Sequence, residues 1–292
     1  MNQTEHRAAR VEALAVQALL YEAAATPKPG LVDRANTGAH RDMDFYSFIR
    51  SAVALGPTFR ACFLAGAAHE GAAPALLPEI RRIGLEGERT MLAATEGVNT
   101  HKGALFSLGI LCAAAGLANR APELSFSAEA LCDLGADITA GILERDFSGP
   151  CRDNPRTVGE RLYAQYGLTG IRGEVAGGFQ TLRKAALPVI RQRWAQDDLN
   201  TLLTDLLLRL MTETEDSNVV GRHDPAMLTL VQEKAAAILA LGGAYTPEGL
   251  RALEAFDAWC IRQWVSPGGS ADLLAVTVFL QLLELSASNV KI

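Results

Sequence analysis

Apolar residues recur every three or four positions along almost the whole chain, which is the pattern of helices that bury one face. Alternating runs of β-branched residues, which are typical of strands, are nearly absent. The pattern predicts helices at 11–24, 45–65, 76–94, 104–118, 128–143, 158–166, 175–186, 199–211, 225–241, 247–264 and 271–285. The sequence therefore predicts an all-α fold, a single multi-helix domain over residues 1–292.

Capping residues support several of these boundaries. Thr157 and Glu160 form a capping-box pattern, and Thr246 stands before a proline at a helix start. Ser270 is in position to cap the last helix. Four helices are expected to end at glycines, namely Gly66, Gly116, Gly167 and Gly242. The segment 147–155 is the one plausible division between two halves, and we expect the site to draw on both sides of it.

Composition narrows the class of protein. A net charge of −6 and a pI near 5.5 argue against nucleic acid as a partner, because that binding needs basic surface. The five cysteines are widely spaced without a C-x-x-C, which predicts reduced, buried thiols and no zinc site. The N-terminal residues lack the apolar stretch of a signal peptide, and apolar runs such as 104–118 fall short of a membrane span. We expect a soluble cytoplasmic protein with no membrane partner.

Polar and glycine-rich segments interrupt the helices at five places and hold most of the candidate chemistry. Loops that a rigid scaffold positions are frequent sites of function. We therefore expect an active-site cleft formed by these inter-helix loops. The segments are 26–45, 97–103, 167–179, 213–224 and 266–277.

The second segment precedes an apolar helix, so its polar residues fall at that helix's N-terminus, where free N–H groups attract anions. Lys102 there and Lys28 in the first segment are expected to contact phosphate, and both are expected to be replaceable without loss of the helical core. The segment lacks the P-loop pattern. A capped turn with a solvated lysine is the alternative interpretation.

The third and fourth segments supply a guanidinium and carboxylates. Glycines surround Arg172 and Glu174, which allows close approach of backbone to a ligand, although a simple helix connection fits as well. Acidic residues around Asp216 gather near a helix end, where a divalent cation is one source of compensation and solvation is another. The pair His223–Asp224 keeps open a metal-dependent nucleotide phosphohydrolase. A helical module that binds a nucleotide or an acyl carrier without catalysis is a further alternative.

Taken together, the segments resemble the triphosphoribosyl-dephospho-coenzyme A synthase family. The motifs are TPKPGLVDR (26–34), GAHRDM (38–43), GVNTHKG (97–103), GLTGIRGE (167–174), DSNV (216–219) and SPGGSADLL (266–274). They follow the family's order and span nearly the whole chain. The sequence RANTGAHRDMDF in the first segment resembles the citrate lyase branch more closely than the malonate decarboxylase branch.

The resemblance implies a glycosyl transfer with ATP and 3′-dephospho-CoA as substrates. The triphosphoribosyl group of ATP would pass to the 2′-hydroxyl of 3′-dephospho-CoA, and adenine would leave. The product is the precursor of the prosthetic group of an acyl-carrier protein, to which a separate transferase would pass it on.

This reaction asks for particular groups. Positive charge develops on the sugar and calls for carboxylates, the attacking hydroxyl needs a base, and the triphosphate needs cations together with Mg²⁺. As catalytic residues we predict Asp33, His40, Asp42, His101 and Glu174. As substrate-binding residues we predict Lys28, Arg34, Asn99, Thr100, Lys102, Arg172, Asn218 and Ser270. For Mg²⁺ we predict Asp216 and Asp272.

Overall fold

The computed structural model describes residues 3–119, 126–147 and 155–288. Within these ranges the chain forms α-helices and two short 3₁₀ turns, with no strand, so the predicted all-α fold is confirmed. The α-helices, in chain order from α1 to α15, are Gln3–Ala24, Phe45–Ala68, Leu77–Ala94, Lys102–Ala118, Ala128–Ile138, Ile142–Phe147, Val158–Tyr166, Gly170–Ala176, Gln180–Ala185, Leu187–Arg193, Leu199–Glu213, Ser217–Arg222, Pro225–Ala240, Pro247–Gln263 and Gly268–Ser288.

The core forms around α4, which is apolar on every side and therefore buried along most of its length. Helix α2 packs along it, while α3, α5 and α15 cover its other sides. Helix α1 packs on both α2 and α15, so the two ends of the chain meet across the core. The predicted division at 147–155 falls mostly on residues outside the described ranges.

Two glycines predicted to end helices lie instead inside them, and that prediction is wrong. Gly66 falls within α2 and Gly116 within α4. A Cβ at Gly66 would overlap the carbonyl oxygen of Ala113, and one at Gly116 would lie 2.7 Å from the amide nitrogen of Ala67. These glycines let the backbones of α2 and α4 approach each other closely.

Other boundaries follow the capping residues. The Thr157–Glu160 capping box is present, Thr246 caps α14, and Gly167 ends α7 in the left-handed region at φ 74°. Gly242 follows α13 at φ 96°. The cap predicted at Ser270 is wrong because α15 begins at residue 268.

Two predicted helices are each divided in the structure. The helix predicted at 128–143 ends at residue 138, and α6 begins only after a turn with Gly141 at φ 72°. The helix predicted at 175–186 is interrupted at 177–179, where Gly178 and Phe179 both have positive φ. Glycine adopts this backbone region at no steric cost, which is why both interruptions contain one.

Helices α2 and α15 are long and apolar enough to span a membrane by length and composition alone. In the fold, half of the relevant stretch of α2 and 72% of that of α15 are buried inside the protein, as in core helices. The cysteines Cys62, Cys112, Cys132 and Cys260 are buried free thiols, as predicted. Cys151 lies outside the described residues.

Candidate active site

Four non-helical or helix-initiating segments meet on one side of the core and enclose a cleft. They are the first loop (25–44), the turn before α4 (95–101), the turn before α12 (214–216) and the turn before α15 (264–267). The cleft has an inner chamber of about 160 Å³ and an outer groove of about 740 Å³. Both are lined by Asn99, Lys102, Gly103, Asn218, Arg222 and Asp272, so they form one continuous site. We call these six residues the junction.

The first loop is held by hydrogen bonds to two buried carboxylates. Asp33 accepts from the amides of Asn36 (3.0 Å) and Lys28 (3.1 Å). Asp257, from α14, accepts from the amide of Gly30 (2.9 Å) and the side chain of Asn36 (3.0 Å). Among the described residues, Asp33 lies outside the lining of both cavities. Its place in the structure is that of a loop anchor.

A buried ion pair forms part of the chamber wall. Lys28 Nζ contacts Glu22 Oε1, which comes from the last turn of α1, and both side chains are almost fully buried. Burial raises the pKa of Glu22, while Lys28 lowers it. Lys28 therefore meets the chamber with its charge already balanced.

Asp272 brings a second carboxylate to the chamber from the first turn of α15. Burial raises its pKa well above the usual value, and the charges of Asp216 and Glu22 raise it further. The backbone amide of Ala104, at the start of α4, offsets this rise in part. A Cβ at Gly103 would overlap Asp272 Oδ2 and lie 2.8 Å from its Cγ. This carboxylate thus occupies part of the helix N-terminus that the sequence suggested for phosphate.

His101 precedes α4 and is buried in the chamber wall. Its Nδ1 lies 2.7 Å from Ser51 Oγ, and Thr100 Oγ1 donates to the same oxygen at 2.8 Å. Ser51 therefore donates onward to Nδ1, which leaves the proton of the neutral ring on Nε2. Burial, followed by the charge of Lys28, lowers the pKa of His101 to about 3. The ring lines the chamber, and its buried Nε2 has no hydrogen-bond partner among the described residues.

His40 lines the chamber from the first loop. Its Nε2 lies 2.9 Å from Ser266 Oγ, and its Nδ1 lies 3.5 Å from a guanidinium nitrogen of Arg222. Burial and the charge of Arg222 lower its pKa to about 4, so the ring is neutral near pH 7. Asp42 is exposed and lies 3.8 Å from Nδ1, outside the lining of the chamber.

Asp216 links the starts of two helices. It accepts from the amide of Asn218 (3.1 Å) in α12, and from the amides of Gly269 (3.2 Å) and Ser270 (2.9 Å) in α15. The hydroxyl of Ser270 donates a fourth hydrogen bond, at 3.1 Å. These four bonds occupy both carboxylate oxygens, so Asp216 and Ser270 serve the framework behind the cleft.

The outer groove contains a chain of ion pairs. Asp146 binds Arg172 Nε at 2.8 Å and Arg81 at 2.5 Å through its two oxygens. Across the mouth of the groove, Lys102 Nζ lies 2.5 Å from Glu88. These pairs leave the guanidinium and ammonium groups at the surface of the groove, where they can also meet an anionic ligand.

Glu174 lines the same groove. Its Oε1 accepts from the hydroxyl of Thr181, while its buried Oε2 has no partner among the residues described. Burial raises the pKa of Glu174, so the fold favours its protonated form.

The structure brings most of the predicted site residues to the cleft. Those that line it are Lys28, His40, Asn99, Thr100, His101, Lys102, Arg172, Glu174, Asn218 and Asp272. Those outside the lining are Asp33, Arg34, Asp42, Asp216 and Ser270. Arg34 is exposed and donates to Asn200 Oδ1 at 3.0 Å, on the outer side of the first loop.

Sequence reasoning missed Glu22, Ser51, Arg222 and Asp146. Glu22 is an isolated charge at the apolar end of α1, directly before the first loop, and that position was a usable signal. Arg222 falls within the acidic fourth segment and, like the predicted Asn218, lines both cavities. Ser51 sits inside α2 with no local pattern that marks it.

A chamber lined by both carboxylates and cations, which opens into a groove with ion pairs, is the kind of cleft that enzymes use to bind polar ligands. The sequence model of one family, ATP:dephospho-CoA triphosphoribosyl transferase, matches residues 8–290. The chain belongs to this family.

Relatives across most of the chain agree with the family model. A protein of Lactiplantibacillus plantarum is 40% identical over 272 residues, 92% of this chain and 95% of its own. One of Vibrio cholerae is 42% identical over 93% of this chain and 88% of its own, and one of Streptococcus pyogenes is 41% identical over 94% and 96%. Each carries the name Probable 2-(5''-triphosphoribosyl)-3'-dephosphocoenzyme-A synthase. The protein is thus a transferase of this class, and no solved structure matches it.

Proposed function

We propose that this enzyme transfers the triphosphoribosyl group of ATP to the 2′-hydroxyl of 3′-dephospho-CoA and releases adenine. The observation that supports it best is the inner chamber, whose lining combines the carboxylates of buried Glu22 and half-buried Asp272 with the imidazole of His101. The junction connects this chamber to a groove large enough for a second substrate.

The carboxylates serve the bond that breaks. As the bond between adenine and C1″ of the ribose lengthens, positive charge builds on the sugar. Fixed carboxylates in a site sheltered from water stabilise that charge strongly, because the local dielectric is low. The raised pKa of Asp272 means that this carboxylate gains most when a cationic centre arrives beside it.

Two further groups serve the protons. His101 is neutral and carries its proton on Nε2, so it donates a hydrogen bond to the departing adenine, which becomes more basic as it leaves. Glu174 in its ionised form accepts the proton of the attacking hydroxyl from the groove side, and its raised pKa makes it a stronger base than an exposed carboxylate. The new bond joins the 2′-oxygen to C1″ as the bond from C1″ to adenine breaks.

Mg²⁺ fits this site as an ion carried by the triphosphate. In the parts of the chain that the structure describes, no three carboxylates, histidines or cysteines are grouped to hold a metal on their own. Asp216 is already saturated by hydrogen bonds, whereas Asp272 lines both cavities. Asp272 is therefore the carboxylate that would complete the coordination of an Mg²⁺ ion bound to phosphate oxygens. Mg²⁺ is usually bound in this way, by one or two carboxylates together with phosphate oxygens of the substrate. When bound, the ion neutralises phosphate charge.

The place of the reaction in the cell belongs to the same proposal. The first loop reads as in the citrate lyase branch, so the product is the prosthetic-group precursor of citrate lyase, passed to an acyl-carrier protein transferase. The same reaction for malonate decarboxylase is the alternative. A cytoplasmic location is consistent with two apolar helices that are packed in the core.

The test is an assay with purified protein, ATP and 3′-dephospho-CoA, in which adenine is measured by chromatography and the conjugate by mass. We expect equal amounts of adenine and conjugate, and no adenine without the acceptor. Adenine release independent of the acceptor would contradict the transfer, and release of phosphate would favour a phosphohydrolase. EDTA is expected to abolish turnover and Mg²⁺ to restore it; full activity in excess EDTA would exclude the metal.

A further inference from the structure

One wall of the outer groove beyond the junction is mostly apolar. We call this wall the apolar limb; its lining comes from α2, α3, α4 and α15. Its residues are Cys62, Leu77, Ile80, Gly84, Leu85, Leu105, Phe106, Gly109, Ile110 and Leu273. The same groove also carries the ion pairs of Asp146, one of them with Arg81 of α3, and the glycine-rich segment around α8.

We propose that the apolar limb binds the pantetheine arm of 3′-dephospho-CoA, so that the acceptor lies in the outer groove with its ribose at the junction. This assignment rests on the proposed function, since it takes the acceptor from there. It leaves the inner chamber to the ribose and adenine of ATP, beside Glu22, His101 and Asp272.

The length of the limb matches that arm. From Lys102 at the junction to Ile110, α4 rises by roughly 12 Å, and from Glu88 to Leu77, α3 extends roughly 16 Å. The arm is a chain of two amides ending in a thiol, comparable to about four extended residues, or roughly 14 Å. It therefore reaches from the junction to the far end of the limb.

The polarity of the groove changes in the same order as that of the acceptor. Lys102 and Arg222 stand at the junction, where a diphosphate would lie, and the limb beyond them is apolar, as the methylene groups of the arm require. ATP has no comparable apolar extension. Cys62, at the limb's wall, has a pKa raised to about 12 by burial, so its thiol stays protonated and packs as an apolar group beside the arm.

Gly84 on α3 offers a direct way to block the limb. It lines the groove, and a Cβ built there meets no atom within 4 Å. A larger side chain at this position therefore starts in open space on the wall of the limb, with no protein atom in contact with its Cβ. It also favours the helix, since glycine is a poor helix former.

The experiment measures binding by isothermal titration, with dephospho-CoA and ATP titrated separately into wild type, Gly84→Ala, Gly84→Leu and the control Thr90→Leu. Thr90 is exposed on the same helix and lies outside the groove lining. We expect Gly84→Leu to weaken the binding of dephospho-CoA at least about tenfold and Gly84→Ala to weaken it less. The affinity for ATP should change less than about twofold in both variants. ADP, which lacks the arm, should bind wild type and Gly84→Leu equally.

Unchanged affinity for dephospho-CoA in Gly84→Leu, with an unchanged melting temperature, would overturn the assignment. Weaker ATP binding with intact dephospho-CoA binding would overturn it as well, because it would place ATP in the limb. Binding is measured without turnover, so this result is separate from that of the adenine assay. A protein that binds dephospho-CoA through the limb but releases no adenine would refute the proposed reaction and keep the arm site.

Discussion

Replacing Gly103 by alanine tests whether the position of the Asp272 carboxylate controls catalysis. A Cβ at residue 103 would overlap Oδ2 of Asp272 and lie 2.8 Å from its Cγ, so the carboxylate must move. A displacement of about 1 Å at a reacting centre costs on the order of 100-fold in rate, and we expect kcat to fall by that factor.

The stability change should be much smaller. Overpacking costs about 1–3 kcal/mol, and the alanine returns about 1 kcal/mol of helix propensity, which leaves a net loss of about 0–2 kcal/mol. Gly135→Ala is the matched control, because a Cβ there meets only ordinary contacts, the nearest at 3.6 Å, in a helix none of whose residues lines the cleft. Adenine release and thermal melting would be measured on both variants.

A double-mutant cycle makes this reasoning refutable. In an Asp272→Ala background the clash is absent, so Gly103→Ala should have almost no further effect on kcat. If Gly103→Ala alone keeps the wild-type kcat, the carboxylate position does not matter for the reaction. If it lowers kcat equally in both backgrounds, the effect comes from the backbone of α4 and not from Asp272.

Three further outcomes are expected. Lys28→Ala should lower the free energy of unfolding by about 3–5 kcal/mol, because its carboxylate partner stays buried without a counter-charge. Lys102→Ala should change it by less than about 1 kcal/mol, and equal urea unfolding midpoints of the two variants would contradict this expectation. Ser51→Ala should lower kcat about tenfold with little change in melting, and Ser51→Thr should restore it, because the hydroxyl fixes the proton of His101 on Nε2; full activity of Ser51→Ala would remove that role. The raised pKa of Glu174 means that this carboxyl stabilises the fold below its ordinary pKa of 4.5, and that the stabilisation is lost as the pH rises through the folded pKa. The melting temperature of Glu174→Gln minus that of wild type should therefore be larger at pH 8 than at pH 4, and a difference independent of pH would refute this reasoning.

The structure argues against the expectation that Lys28 can be removed without harm to the core, whereas the same expectation for Lys102 stays a prediction. Lys28 is in a loop, as its prolines and glycine predicted, but the loop folds inward and buries the side chain against Glu22. Local sequence shows that a segment is not helical. It does not show whether that segment lies on the surface or in the interior, because this depends on partners distant in the chain.

The helices and the cleft loops could be predicted because they depend on local sequence. Periodicity and capping residues are local, so the starts of α7 and α14 follow directly from Thr157 and Thr246. The interior positions of Gly66 and Gly116 could not be read in the same way, because they reflect the contact between α2 and α4. The same limit explains Asp216, a plausible metal ligand by its acidic surroundings, which turns out to cap two helices at once.

The walls of the cleft come from both ends of the chain, and this has a consequence for synthesis on the ribosome. The end of α1 and the first loop emerge first, whereas Asp272 and the turn that begins α15 emerge only after all the helices between them. Domains form as the chain emerges, but a chamber that lacks one of its walls cannot enclose a nucleotide. The nascent enzyme therefore stays without a closed binding chamber until its last helix packs against its first.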